Sequence, residues 1–144
     1  MIAAVLIAAA SLHFIELFRD LMRQRDPFAS AQRLCDRAFG PREGEWRRYE
    51  TDQGFVELGP FEQSTPRKIV IDARFESRDA AIAYVRQVRA LLPFPAQPRM
   101  PPDADSYRGS VVVARKLVGV ELERVECGVI VTLIAGGPRT IVEN

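Results

Sequence analysis

The chain has 144 residues, 47% of them hydrophobic and 27% charged, which suits one globular domain with its own core and excludes disordered and fibrous classes. Twenty basic residues against nineteen acidic ones leave a formal charge of +1, so no global field steers the molecule onto nucleic acid or an anionic membrane. Its two cysteines, Cys35 and Cys127, have no C-x-x-C spacing and no histidine cluster around them, which favours buried thiols over a disulfide, zinc or redox role.

Ten apolar residues open the chain, and only Ser11, His13 and Glu16 interrupt the next eight. Three readings compete for this helical stretch. A cleaved signal peptide fits Ala8-Ala9-Ala10 but lacks a cationic leader. A membrane anchor needs about twenty apolar residues, and this run carries Glu16 in its last turn. A helix apolar nearly all round is otherwise buried, in its own domain or against a partner. The third reading accounts best for the second half, where Phe14, Leu17, Phe18 and Leu21 recur at helical spacing and present one face. Leu6, Phe14, Leu17 and Phe18 are therefore the candidate protein-binding residues, for a protein partner or for self-association. Were the stretch an anchor, Arg19, Arg23 and Arg25 would keep the rest of the chain on the cytoplasmic side. The expected location is thus cytoplasmic, either free or at the membrane. The expected organisation is an N-terminal helix over 1–25 and one domain over 26–144.

Asp26 is a good N-cap, Pro27 suits a first helical position and Gly40-Pro41 ends the element, so a helix is predicted over 27–39 with Phe28, Ala31, Cys35, Ala38 and Phe39 inward. From Glu45 the pattern turns to short strands. Trp46–Glu50 and Phe55–Leu58 flank the hairpin loop Thr51-Asp52-Gln53-Gly54. After a loop expected over Pro60–Pro66, Lys68–Phe75 alternates, with Ile69, Ile71, Ala73 and Phe75 on one face and Lys68, Val70, Asp72 and Arg74 on the other. Ser77 caps a helix over 78–92 whose Ala81, Tyr84, Val85, Val88, Leu91 and Leu92 form an apolar stripe. Five of the ten residues from Pro93 to Pro102 are proline, and that stretch, with its minimal Pro95-Ala-Gln-Pro98 motif, reads as a stiff connector. Strands come next at Ser110–Ala114, extendable toward Leu117, then at Gly119–Val125, Val129–Ala135 and Thr140–Val142, with turns at Cys127-Gly128 and Gly136-Gly137. The order α-α-β-β-β-α-β-β-β defines an α+β fold. Its mainly antiparallel sheet has about five to six strands, with two N-terminal helices and one helix packed on the sheet.

Chemistry is sparse. The lone histidine, His13, lies in the most apolar segment, so Ser-His-Asp and Cys-His arrangements lack a placed base. One histidine and two distant cysteines make no metal set, and Asp103 with Asp105 lacks the other ligands of a calcium loop. Gly136-Gly137-Pro138-Arg139 precedes a strand rather than a helix, so it does not cradle phosphate. No cofactor or metal is expected. Glu121 and Glu123 share a strand face and read as its wet side. Asp72 with Arg74 two residues on is more informative: were that face to line a concave pocket, the pair would supply a base and an anion clamp, with Tyr84 as a third pocket candidate.

The leading expectation is a non-catalytic protein-binding module, such as a small assembly subunit, adaptor or inhibitor, acting through its N-terminal helix, with a membrane as the second candidate partner. The alternative is a small-molecule binder or enzyme with a cone-shaped pocket and Asp72 pointing into it. The third is single-stranded nucleic-acid binding through Trp46, Arg47, Arg48 and Tyr49. Nucleic acid is the least expected partner, because residues 19–48 carry eight Arg against five acids.

Overall fold

A computed structural model of the chain describes residues 14–92 and 106–136. Three helices and six strands occur in the expected order: α1 (14–22), α2 (Pro27–Phe39), β1 (Arg47–Thr51), β2 (Gly54–Glu62), β3 (Thr65–Arg74), α3 (Arg78–Leu91), β4 (Ser106–Val113), β5 (Lys116–Val125) and β6 (Gly128–Ala135). Leu6, His13, Asp103, Asp105 and the strand expected at Thr140–Val142 lie outside the described residues.

Local chemistry sets the helix ends. Asp26 is extended at φ −137°, and its Oδ1 accepts the N–H groups of Phe28 at 3.0 Å and Ala29 at 3.2 Å, satisfying donors that the first turn of α2 leaves free. Gly40, at φ +94°, closes α2 by donating its N–H to the Asp36 carbonyl. Ser77 Oγ caps α3 in the same way, through Ala80 N–H at 3.1 Å. Past Leu92 the chain meets Pro93, which cannot continue a helix.

The strands form one antiparallel sheet in the order β1-β2-β3-β6-β5-β4, so two three-stranded meanders meet along the β3–β6 seam. Three turns differ from the sequence expectation. The stretch 60–66 is mostly strand: β2 and β3 stay paired out to Glu62 and Thr65, with a tight turn at Gln63, whose φ is +61°. Pro60, lacking an N–H, has no partner in that register, and Phe61 donates instead to the Glu45 carbonyl at 3.0 Å. The β4–β5 turn is Ala114-Arg115, with φ of +48° and +71°, the mirror-image geometry that matches strand twist. Gly119 accordingly lies inside β5, opposite Ser110 and Ile134, and does not begin it. The last turn is Glu126-Cys127, one residue earlier than expected, with Glu126 at φ +54°.

Alternation along the strands puts most buried sheet side chains on one face; Asp72 and Ile134 are buried side chains of the opposite parity. Tyr49, Val56, Ile71, Val131 and Leu122 form one cross-strand row, and Leu58, Ile69, Leu133 and Val120 the next. All three helices pack on this face, in one core cluster. In α1, Phe14, Leu17, Phe18 and Leu21 are at most 4% exposed. At about 1.5–3 kcal/mol per buried side chain, these four contribute of order 6–12 kcal/mol before entropy, comparable with the whole net stability of a typical domain. The described part of α1 is therefore integral to the fold. The opposite face of the sheet carries no element among the described residues.

Candidate functional site

The uncovered face is built from the outward positions of every strand. One cross-strand row reads Arg48, Glu57, Val70, Thr132, Glu121, Arg108 from β1 to β4, and the adjacent row reads Glu50, Phe55, Asp72, Ile130, Glu123, Ser106. Ion pairs tie neighbours together: Arg48 Nε to Glu50 Oε1 at 3.1 Å, Arg74 Nε to Asp72 Oδ1 at 3.6 Å and Arg108 Nε to Glu121 Oε1 at 2.9 Å. Glu123 has no such cation among the described residues.

Two open depressions lie side by side here. One, of about 410 Å³, is lined by Ser106, Arg108, Glu121, Glu123, Ile130 and Thr132. The other, of about 240 Å³, lies between Asp72, Arg74, Glu123, Val125 and Ile130. Glu123 and Ile130 form the wall they share. Val125 and Ile130, which line these depressions, are 63% and 40% exposed, and Val112 and Leu117, paired at the other end of β4 and β5, are 51% and 45% exposed, all on outward positions where an antiparallel sheet normally places polar residues. A third depression, of about 340 Å³ and more apolar, lies where α2 begins, among Pro27, Phe28, Leu117, Val118 and Ala135, with the Lys116 Nζ to Asp26 Oδ2 pair of 2.8 Å on its rim.

The structure brings two of the three expected pocket residues together and separates the third. Asp72 and Arg74 meet on the uncovered face, where the Asp72 side chain is only 10% exposed while that of Arg74 is 74% exposed. Tyr84 lies across the sheet, in α3, its ring 5.1 Å from that of Phe75 and its hydroxyl buried without a partner among the described residues. Burial pushes the Tyr84 phenol well above its ordinary value. Asp72 and Tyr84 thus share no cavity, because residues 72 and 71 of one strand point to opposite sides.

The expected protein-binding residues also look inward. Phe14, Leu17 and Phe18 are 1%, 4% and 0% exposed, and the Phe14 ring lies 6.3 Å from that of Phe39. They pack against this chain rather than present a face, and Leu6 lies outside the described residues. No helix among the described residues is long and apolar enough to cross a membrane.

Strand alternation likewise divides the Trp46-Arg47-Arg48-Tyr49 tetrad. Tyr49 is fully buried and donates its hydroxyl to Asp36 Oδ1 at 2.6 Å; burial, then that bond, raises its phenol. Arg47 stacks on Phe61 and Arg48 on Phe55, each 3.7 Å from the ring centroid, so both rings are already covered by cations of the chain. Trp46 is half exposed and lies over Gly59, where a Cβ would sit 2.7 Å from the indole. These residues make no shared stacking platform. Of the cysteines, Cys35 is buried and its thiol is pushed up to about 12 by burial and by Asp36, while Cys127 is half-buried in the β5–β6 turn; both are free. Among the described residues no group of three or more His, Cys, Asp or Glu side chains is placed to hold a metal ion.

Sequence reasoning misses Ile130, Val125, Val112 and Leu117. Their signal is available: each is a large apolar residue on the outward parity of a strand whose inward parity is already apolar. Comparison with protein-family models, with curated proteins and with solved structures finds no match to this chain, so the reading of the uncovered face rests on its own geometry.

Proposed function

We propose that the chain is a non-catalytic protein-binding module that receives its partner on the uncovered face of the sheet. The observation that carries this reading is the set Val112, Leu117, Val125 and Ile130, between 40% and 63% exposed on a face without a covering element among the described residues. Apolar residues scattered singly on a surface need no explanation, but two pairs on one sheet face, Val112 beside Leu117 and Val125 beside Ile130, resemble a docking surface set among polar residues. Scale supports it as well. Six strands about 4.8 Å apart and about seven paired residues long span roughly 700 Å², close to the ~800 Å² per partner of a standard interface.

The reading moves the partner from the N-terminal helix to the sheet, because the described apolar residues of α1 are already buried in the core. A small assembly subunit, an adaptor or an inhibitor would each use such a face. Small-molecule sites, by contrast, enclose most of their ligand in apolar walls, whereas these depressions are open and edged by ion pairs.

The test is site-specific photo-crosslinking in the cells that make the protein, with the photoreactive side chain placed at Ile130 or, as a control, at Arg86, an exposed residue of α3. A polypeptide adduct from position 130, weakened by Val112→Asp, is expected. Adducts from position 86 that equal or exceed those from 130 would overturn the proposal.

A further inference from the structure

We infer that the partner inserts an arginine or lysine side chain beside Glu123, its aliphatic stem lying across Ile130; this rests on the reading of the uncovered face as the docking surface. The row Asp72, Ile130, Glu123 crosses three neighbouring strands, so the backbones bearing the two acids stand about 10 Å apart with one apolar side chain between them. Asp72 is matched by Arg74 and Glu121 by Arg108, while Glu123, shared by both depressions, is exposed and unmatched among the described residues. The central region therefore has one negative charge in surplus.

The surroundings select the kind of cation. Ile130 is 40% exposed and Val125 63% exposed, surfaces that methylene stems cover well and a hydrated ion does not. Among the described residues no three His, Cys, Asp or Glu side chains converge as a bound metal ion requires, whereas a guanidinium or ammonium pairs with a single carboxylate. An anionic partner would meet the unmatched Glu123, while Arg74 and Arg108 are already closed on Asp72 and Glu121. A second copy docked symmetrically about this centre would set the unmatched Glu123 against its own equivalent, since an isologous interface repeats one patch on both sides. The complementary partner is thus a different protein that presents a basic side chain together with apolar ones, the apolar ones covering Val125 and Ile130.

The full chain, ¹⁵N-labelled, is titrated with the peptide acetyl-Val-Arg-Val-Arg-Val-amide and with its Glu counterpart. The Arg peptide should produce saturable shifts centred on the amides of Glu123, Val125 and Ile130, and the Glu peptide none. Glu123→Gln, an isosteric change at an exposed site, should weaken the Arg peptide at least fivefold. Glu50→Gln, the same change at the far edge of the same face, should leave it within twofold. Equal binding of the two peptides, loss of binding equally in both variants, or no loss in Glu123→Gln would overturn the inference. So would a crosslinked adduct from position 130 with twice the mass of the chain. Adducts to another protein that persist unchanged in Glu123→Gln would sink the basic anchor and leave the docking face standing, whereas an absence of adducts at 130 removes both.

Discussion

Asp26 joins two parts of the fold that lie far apart in sequence, and its removal should separate two energies. Oδ1 caps α2 through Phe28 and Ala29, while Oδ2 takes the Lys116 ammonium at 2.8 Å, ninety residues away at the start of β5. Losing an N-cap carboxylate costs about 1 kcal/mol. The ion pair adds about 0.5 kcal/mol, because the lysine side chain is 60% exposed and solvent screens it. Asp26→Ala should therefore lower stability by about 1.5 kcal/mol, or about 3–6 °C in Tm for a domain of this size. Asp26→Asn keeps a capping oxygen and loses only the charge, so it should cost about 0.5 kcal/mol, as should Lys116→Met, and the double variant should lose little more than either. Acid provides a second check. Burial alone would raise the Asp26 carboxyl, but the bonds from Lys116, Ala29 and Phe28 together hold it below its ordinary value of 3.8. A group whose pKa is lower folded than unfolded stabilises fully above the unfolded value and loses that contribution as pH falls through the folded one. The gap between wild type and Asp26→Asn in urea unfolding should thus be complete at pH 7 and shrink below about pH 4. An Asn variant as unstable as the Ala variant, or a gap that survives at pH 3, would refute the division into cap and pair.

Two further outcomes are expected of buried polar atoms. Tyr84→Phe removes a hydroxyl that lacks a partner among the described residues and should be neutral or stabilising, by up to about 1.5 kcal/mol, whereas Tyr49→Phe breaks the bond to Asp36 and should cost about 1–1.5 kcal/mol; opposite signs in urea midpoints are the check. Cys35, buried and with its thiol pushed up to about 12, should stay silent to a disulfide reagent at pH 8 while half-buried Cys127 reacts, so titration should count one thiol in the native chain and both in denaturant.

The elements legible in the sequence are those whose signals are local. Asp26, Pro27 and Gly40 mark the ends of α2 because capping is decided within four residues, and the alternation of Ile69, Ile71 and Ala73 marks β3 because burial on one face imposes period two. Turns escape such reading where their residues advertise nothing. Ala114-Arg115 occupies a left-handed geometry that glycine or asparagine normally fills, and the pairing of β4 with β5 imposes it from outside. Pro60 and Pro66 imitate a loop, but an edge of the β2–β3 ladder tolerates residues without an N–H. The site is harder for a different reason. Periodicity tells that one face of α1 is buried and cannot say against what; only the assembled sheet shows that Phe14, Leu17 and Phe18 meet this chain's own core.

Once those side chains are assigned inward, the energetics of the remaining surface limit what it can do alone. Burying the exposed parts of Val112, Leu117, Val125 and Ile130 yields about 1 kcal/mol each, so about 4 kcal/mol together, which corresponds to a millimolar dissociation constant even before the entropy of association is charged. A partner held at micromolar affinity needs about twice that. The ion pairs at Asp72 and Glu121 are already closed within the chain, so they add little to a complex. Glu123 is the carboxylate among the three that a partner can still neutralise, and it stands beside the apolar side chain that such a partner would dehydrate. Desolvation by Ile130 and pairing at Glu123 would then reinforce each other, since a charge pair strengthens as water leaves it.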